Sequence, residues 1–165
     1  MRNALVRLAL IGTMSAIGTM AGLAAASAET VAVSLWDKGA ETEMATGLAM
    51  GTEGADVSKA TFGIDIEPRS VKAGEITFEV RNVSKDMIHE LVVTPLRDGE
   101  RSLPYDESEQ EVEEDDLVVL GEIEDLEPGQ SGTLTLRLEP GEYVLFCNIA
   151  GHYDGGMWTL LTVEP

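Results

Sequence analysis

The chain has 165 residues, with 11 lysines and arginines against 30 aspartates and glutamates, a formal net charge of −19. So acidic a surface excludes nucleic acid as a partner, because a phosphate backbone repels it, and disfavours adhesion to anionic lipid. It suits a cationic partner, or a soluble protein of a saline habitat, and the length is enough for one domain around one core.

Residues 1–28 read as a cleavable secretory signal peptide. Arg2 and Arg7 give a positive start, an apolar run extends from Leu8 to Ala26, and "ASA" places small residues at Ala26 and Ala28. The competing reading is a membrane anchor, since the run is nearly long enough to span a bilayer; its many Gly, Ala, Ser and Thr residues make it only weakly hydrophobic. No cysteine lies at the cut to take a lipid, and the two arginines are not adjacent as a twin-arginine signal needs. The remainder, 29–165, is expected to be a single periplasmic domain, not inserted in the membrane once the leader is removed.

Strand patterns dominate this remainder. "VAVSLW" (Val31 to Trp36) and "TFGIDIE" (Thr61 to Glu67) alternate apolar with polar or small residues. "EITFEV" puts Ile76, Phe78 and Val80 on one face, and "TLTLRLE" does the same with Leu134, Leu136 and Leu138. Further strands are predicted near 87–95, 117–123, 143–148 and 157–163. "PRSVKAGE", "EPGQSG" and "EPGEY" supply turns. Such short strands with regular turns predict an all-β, two-sheet antiparallel sandwich. Two stretches interrupt the pattern. One is an N-terminal extension, 29–60, whose part 37–60 is small, polar and Gly-rich with one short helical piece. The other is an acidic insertion, 97–116.

The only cysteine lies in "CNIAGHYDGGM", 147–157. In an oxidising compartment a lone cysteine is a buried thiol, half of an intermolecular bridge, or a metal thiolate. The surroundings favour the last. Cys147, His152 and Met157 stand at Cys-x4-His-x4-Met on a loop joining two predicted strands, and Gly155 and Gly156 let the chain turn back. His89 lies in "SKDMIHELVV", where Met87, His89, Leu91 and Val93 share one parity and look inward. Two imidazoles, a thiolate and a thioether describe a trigonal copper site with a weak axial donor. Zinc also accepts Cys and His, but a thioether is a poor zinc ligand.

With these residues the chain resembles the cupredoxins, the small blue copper proteins. The loop is similar to that of rusticyanin, sulfocyanin and auracyanin and longer than that of plastocyanin. The likeness runs over "VKAGEITFEVRN", "HELVV", "GTLTLRLEPGEYVLFCNIAGHYDGGM" and the last strand. It implies a Greek-key sandwich holding one type 1 copper, with His89, Cys147 and His152 as equatorial ligands and Met157 as the axial one. It also implies that His152 lies near the surface, within an uncharged collar of Ile149, Ala150, Gly151, Gly155 and Gly156. The residue after His89 is Glu90, where the family often has Asn or Ser.

An enzyme of the copper reductase or oxidase type needs further histidines beside the ligand cysteine, but Phe146 and Asn148 flank Cys147 and the chain has only two histidines. A dinuclear centre needs two cysteines, and haem attachment needs Cys-x-x-Cys-His. The resemblance therefore implies a monomeric one-electron carrier working between redox proteins, such as a basic c-type cytochrome. The alternative is a copper-binding protein for tolerance or delivery, for which Met44, Met50 and Met87 are extra thioethers, although flexible core filler is the better reading of them.

Overall fold

The computed structural model describes residues 28–97 and 99–165. The expected leader lies, but for its last residue, outside the described residues. Among the described residues, no helix is long and apolar enough to cross a membrane. The described residues form eleven strands in order: β1 Glu29–Asp37, β2 Phe62–Glu67, β3 Ser70–Lys72, β4 Gly74–Asn82, β5 His89–Leu96, β6 Tyr105–Asp106, β7 Glu111–Val112, β8 Gly121–Leu126, β9 Ser131–Leu138, β10 Gly141–Phe146 and β11 Trp158–Glu164.

They build a sandwich. One sheet has the order β2-β1-β4-β9, the other β3-β11-β10-β5-β8, and β6 and β7 form a separate ribbon. The predicted alternation decides which side chains meet between the sheets. Val31, Val33 and Leu35 of β1 and Ile76, Phe78 and Val80 of β4 face Leu91 and Val93 of β5, Tyr143 and Leu145 of β10 and Leu161 of β11. Each fully buried Leu, Val or Phe stabilises the fold by about 1.5–3 kcal/mol relative to exposure, so this layer supplies most of the drive to fold.

Two pairings depart from a purely antiparallel sandwich. β1 runs parallel to β4, and β3 runs parallel to β11. Both follow from crossing: the chain leaves the first sheet after β2, adds β3 to the edge of the second, then returns as β4. The short β3 falls inside a stretch that reads as a turn, since three residues give too little alternation to register. The helical piece of the extension is a single 3-10 turn, Val57–Lys59.

Along β5, Leu91 to Thr94 are all buried, as are Tyr143 to Phe146 of β10. A strand that buries both faces needs cover on both. The outer cover is a second cluster, in which Val92, Val144 and Phe146 meet Met50 of the extension and Leu103 and Val112 of the insertion. The two interruptions are therefore a third layer on the five-stranded sheet, lying close to its loop end.

Candidate metal centre

β5 and β10 are antiparallel neighbours, with Val92 opposite Phe146, so the start of one lies beside the end of the other. That places His89, the first residue of β5, against Cys147, which continues β10. His89 shares the inward parity of Leu91, and a bulge on the β8 side of the pairing, where Leu126 stands opposite His89 and Ile123 opposite Leu91, leaves that parity intact. The loop then folds back on itself. His152 N–H donates to the Ile149 carbonyl (2.9 Å), Met157 N–H to the His152 carbonyl (2.9 Å) and Cys147 N–H to the Met157 carbonyl (3.1 Å). Gly156 makes the return with φ +99°, a conformation that favours glycine.

Three donor atoms converge, one each from His89, Cys147 and His152, all within 4.8 Å of one another. Nδ1 of His152 lies 3.3 Å from Nδ1 of His89 and 3.3 Å from Sγ of Cys147. Met157 is wholly buried and shares the core cluster of Cys147, close to the other three. His89 and Cys147 are also wholly buried.

Burial in this pocket favours the neutral form of each donor. Burial pushes the Cys147 thiol up to about 12 despite hydrogen bonds from the Glu90 and Ile149 backbones. Burial, then the neighbouring His89, pushes His152 down to about 4. Burial likewise lowers His89, against the pull of Asp37. Two neutral imidazoles and a thiol that ionises only beside a positive charge are a ligand set suited to a soft or borderline metal ion. Zinc and copper both fit two imidazoles and a thiolate; the buried Met157 thioether fits copper better.

The surroundings of the four side chains hold several residues that strand periodicity does not reveal. Asp37 Oδ2 lies 2.8 Å from Nε2 of His89, and the Asp37 side chain is 2% exposed. Its Oδ1 accepts the Gly39 N–H at 2.6 Å. Burial would raise this carboxyl, but hydrogen bonds from Ser84, His89 and Gly39 outweigh it and hold it below the usual range. Asn82, wholly buried, donates from Nδ2 to the carbonyls of Met87 (2.8 Å) and Leu126 (2.7 Å) and accepts the Ser84 N–H through Oδ1 (2.9 Å). Ser84 Oγ takes the Met87 N–H at 2.9 Å. These bonds fix the turn that delivers His89. Asp37 follows Val31, Val33 and Leu35 on the inward face of β1, but nothing in that alternation pairs it with His89.

Glu90 joins the two ligand-bearing segments. Its N–H points at Cys147 Sγ (3.5 Å) and its Oε1 accepts the Asn148 N–H at 2.6 Å. Burial pushes its carboxyl up to about 7, against the Asn148 bond, with Glu114, Glu122 and Asp125 adding to the rise. Asn148 in turn binds the insertion, accepting the Val112 N–H at 2.6 Å and donating to Glu114 at 2.8 Å.

His152 differs from its expected place near the surface: it is 3% exposed. Phe62 stacks on its ring, 4.4 Å between centroids and 19° between planes. The extension closes over the loop, with the Leu48 and Gly47 N–H groups bound to Asp154 at 2.9 Å each and the Met44 methyl lying over Gly151. Of the expected collar, Ala150 is exposed and Ile149 and Gly156 are half-buried, while Gly151 and Gly155 are buried.

Solved structures carry the same arrangement of strands. Reduced auracyanin from Roseiflexus castenholzii is 19% identical with a TM-score of 0.50, over 85% of this chain and 100% of that one. The chain has the cupredoxin fold. Rusticyanin, described as a copper protein, is 16% identical with a TM-score of 0.52, over 84% of this chain and 80% of that one. Rusticyanin from Thiobacillus ferrooxidans gives 14% and 0.50 over 84% and 79%. No protein-family model and no curated protein matches the chain. At these identities the likeness concerns the cupredoxin fold, and the chemistry has to be argued from the side chains.

Proposed function

We propose that the protein is a type 1 copper protein that carries one electron at a time between redox partners, with His89, Cys147 and His152 as equatorial ligands and Met157 as the axial one. The observation that carries this reading is the convergence of two imidazole Nδ1 atoms and one thiol sulfur in a buried pocket, beside a buried thioether. The solved structures of like fold, rusticyanin and reduced auracyanin, support copper as the metal. When bound, copper supplies a one-electron Cu(II)/Cu(I) couple.

The chain's own contribution is rigidity and exclusion of water. The ligands stand on two hydrogen-bonded strands and a loop closed by three backbone bonds. Such a frame resists rearrangement when the metal changes charge, which keeps the cost of each transfer low. Phe62 and the extension keep water from His152. The described residues hold two histidines, both in this cluster, so a catalytic second copper has no imidazoles to bind it.

The acid-rich surface suits a cationic redox protein such as a basic c-type cytochrome, with which a monomeric carrier would form short-lived complexes. The leader pattern in the sequence supports a periplasmic location; amino-terminal sequencing of the exported protein, with a new terminus at residue 29, checks this. For the extra thioethers, packing is the better account: Met50 is buried and Met87 packs against the core, which leaves Met44 alone exposed and gives little to a copper-delivery role.

The test is copper loading of the purified protein. The expected result is one copper per chain with an intense visible thiolate-to-Cu(II) band, abolished in Cys147→Ser because a hydroxyl is no comparable donor. A colourless, fully copper-loaded wild type would overturn the assignment.

A further inference from the structure

We propose that Asp37 is a positioning residue of this centre: its carboxylate holds His89 with Nδ1 free for the metal and adds a buried negative charge that favours Cu(II) over Cu(I). The inference rests on the assignment of His89 as a copper ligand. The geometry divides the work of the carboxylate between its two oxygens. Oδ1 receives the Gly39 N–H at 2.6 Å, and Oδ2 sits 2.8 Å from His89 Nε2. With His89 neutral, the Nε2 hydrogen is donated to Asp37, so the lone pair falls on Nδ1, the atom that faces His152 and Cys147. The other tautomer would set a lone pair against the carboxylate and a hydrogen in the donor cluster. A ligand imidazole held in this way is also more basic towards a metal.

The charge matters as well as the hydrogen bond. Among the described residues, no lysine or arginine pairs with Asp37, whose contact is with the neutral His89 ring, so its negative charge has no fixed cation beside it. With the Cys147 thiolate and Asp37 both ionised, Cu(II) makes this group of charges neutral and Cu(I) leaves it one negative charge in excess. In an interior that screens poorly, the excess penalises the reduced form. A purely structural Asp37 would hold the turn through Gly39 and leave the Cu(II)/Cu(I) balance untouched.

Asparagine at this position separates the two roles, because it has one oxygen for two jobs and no charge. Copper-loaded Asp37→Asn is expected to keep the visible band but lose about 10–100-fold in Cu(II) affinity, the usual effect of removing a partner of a ligand histidine. Cu(I) affinity changes much less, so the reduction potential rises, by about 59 mV for each tenfold selective loss. An unchanged potential in the copper-loaded variant overturns the proposal. A second measurement needs no copper: long-range 15N–1H NMR of the apo full-length wild type should show His89 as the Nε2–H tautomer. If Asp37→Asn fails to fold or to bind copper, this tautomer decides, Nε2–H supporting the proposal and Nδ1–H overturning it. A wild type that shows Nε2–H yet never takes up copper would sink the copper assignment and leave the positioning of His89 standing.

Discussion

Glu90 ties the two ligand-bearing segments together, accepting the Asn148 N–H at 2.6 Å while its own N–H points at the Cys147 sulfur. Because that link needs only an oxygen, Glu90→Gln should change copper binding modestly. Glu90→Ala removes the acceptor and leaves a part-buried N–H without its partner, a cost of about 1 kcal/mol, so it should lower the apo melting temperature and speed copper loss to a chelator. His89→Ala should weaken copper binding far more than Glu90→Gln; equally severe losses would make Glu90 a part of the ligand set. Met157→Leu fills the same core space without the sulfur. It is expected to keep the colour and raise the potential, since losing a weak donor penalises Cu(II) more than Cu(I), and an unchanged spectrum and potential would remove Met157 from the site. Cys147, His152 and Met157 were legible because they lie within one loop, and His89 because parity turned it inward. Asp37 was hidden because its partner is 52 residues away.

At the scale of elements, the sandwich was legible wherever alternation ran for five or more residues, as in β1, β4 and β9. It was not legible in β3, too short to show a period, or in the third layer. Besides burying Leu48 and Met50, the extension is fastened by polar contacts: Ala45 N–H to Thr61 Oγ1 (3.0 Å), Leu48 N–H to the Asp154 carbonyl, and Trp158 Nε1–H to the Leu48 carbonyl (2.8 Å). Hydrophobic periodicity carries no trace of such bonds, so a segment that seals the site reads as a loose Gly-rich stretch. Packing between β2 and the metal loop explains why Gly155 is glycine. A Cβ there would stand 2.8 Å from the Phe62 ring and 3.1 Å from the Gly151 carbonyl, and Phe62 is the ring stacked on His152. Gly155→Ala should therefore push Phe62 off the imidazole. The expected cost is about 1–3 kcal/mol, as for overpacked cores, read from chemical denaturation, together with a shift of the visible band. A spectrum and stability equal to wild type would show that the loop yields without disturbing His152.

Over the whole molecule the question is whether the acidic excess acts as bulk charge or through one face. In "DESEQEVEEDD", 106–116, eight of eleven residues are Asp or Glu, and a run of this kind is ordinarily a hydrated surface that repels itself. Here it is also fastened to the metal loop: Asn148, next to Cys147, binds Val112 and Glu114, and Gly151 N–H donates to the Gln110 carbonyl at 2.8 Å. Five carboxylates from Glu111 to Asp116 line one surface depression together with Asn148. A cationic partner drawn to these acids would be held beside the buried ligands. Attraction between opposite patches raises the encounter rate without a tight complex, as a carrier that must leave again requires. Exposed charges are screened beyond about 8 Å at physiological ionic strength, so electron transfer to a basic cytochrome, followed by stopped-flow mixing, should slow as salt rises. Neutralising Glu111, Glu113, Glu114, Asp115 and Asp116 to their amides should lower both the rate and its salt sensitivity. The copper spectrum should stay intact, since Glu114→Gln keeps a side-chain oxygen for Asn148. The control removes five exposed acids from elsewhere, Glu41, Glu43, Glu53, Asp65 and Glu67, and spares Asp37. Total charge falls equally in the two variants, so a larger effect from the 111–116 set locates the docking face there, and equal effects would show that bulk charge alone steers the partner.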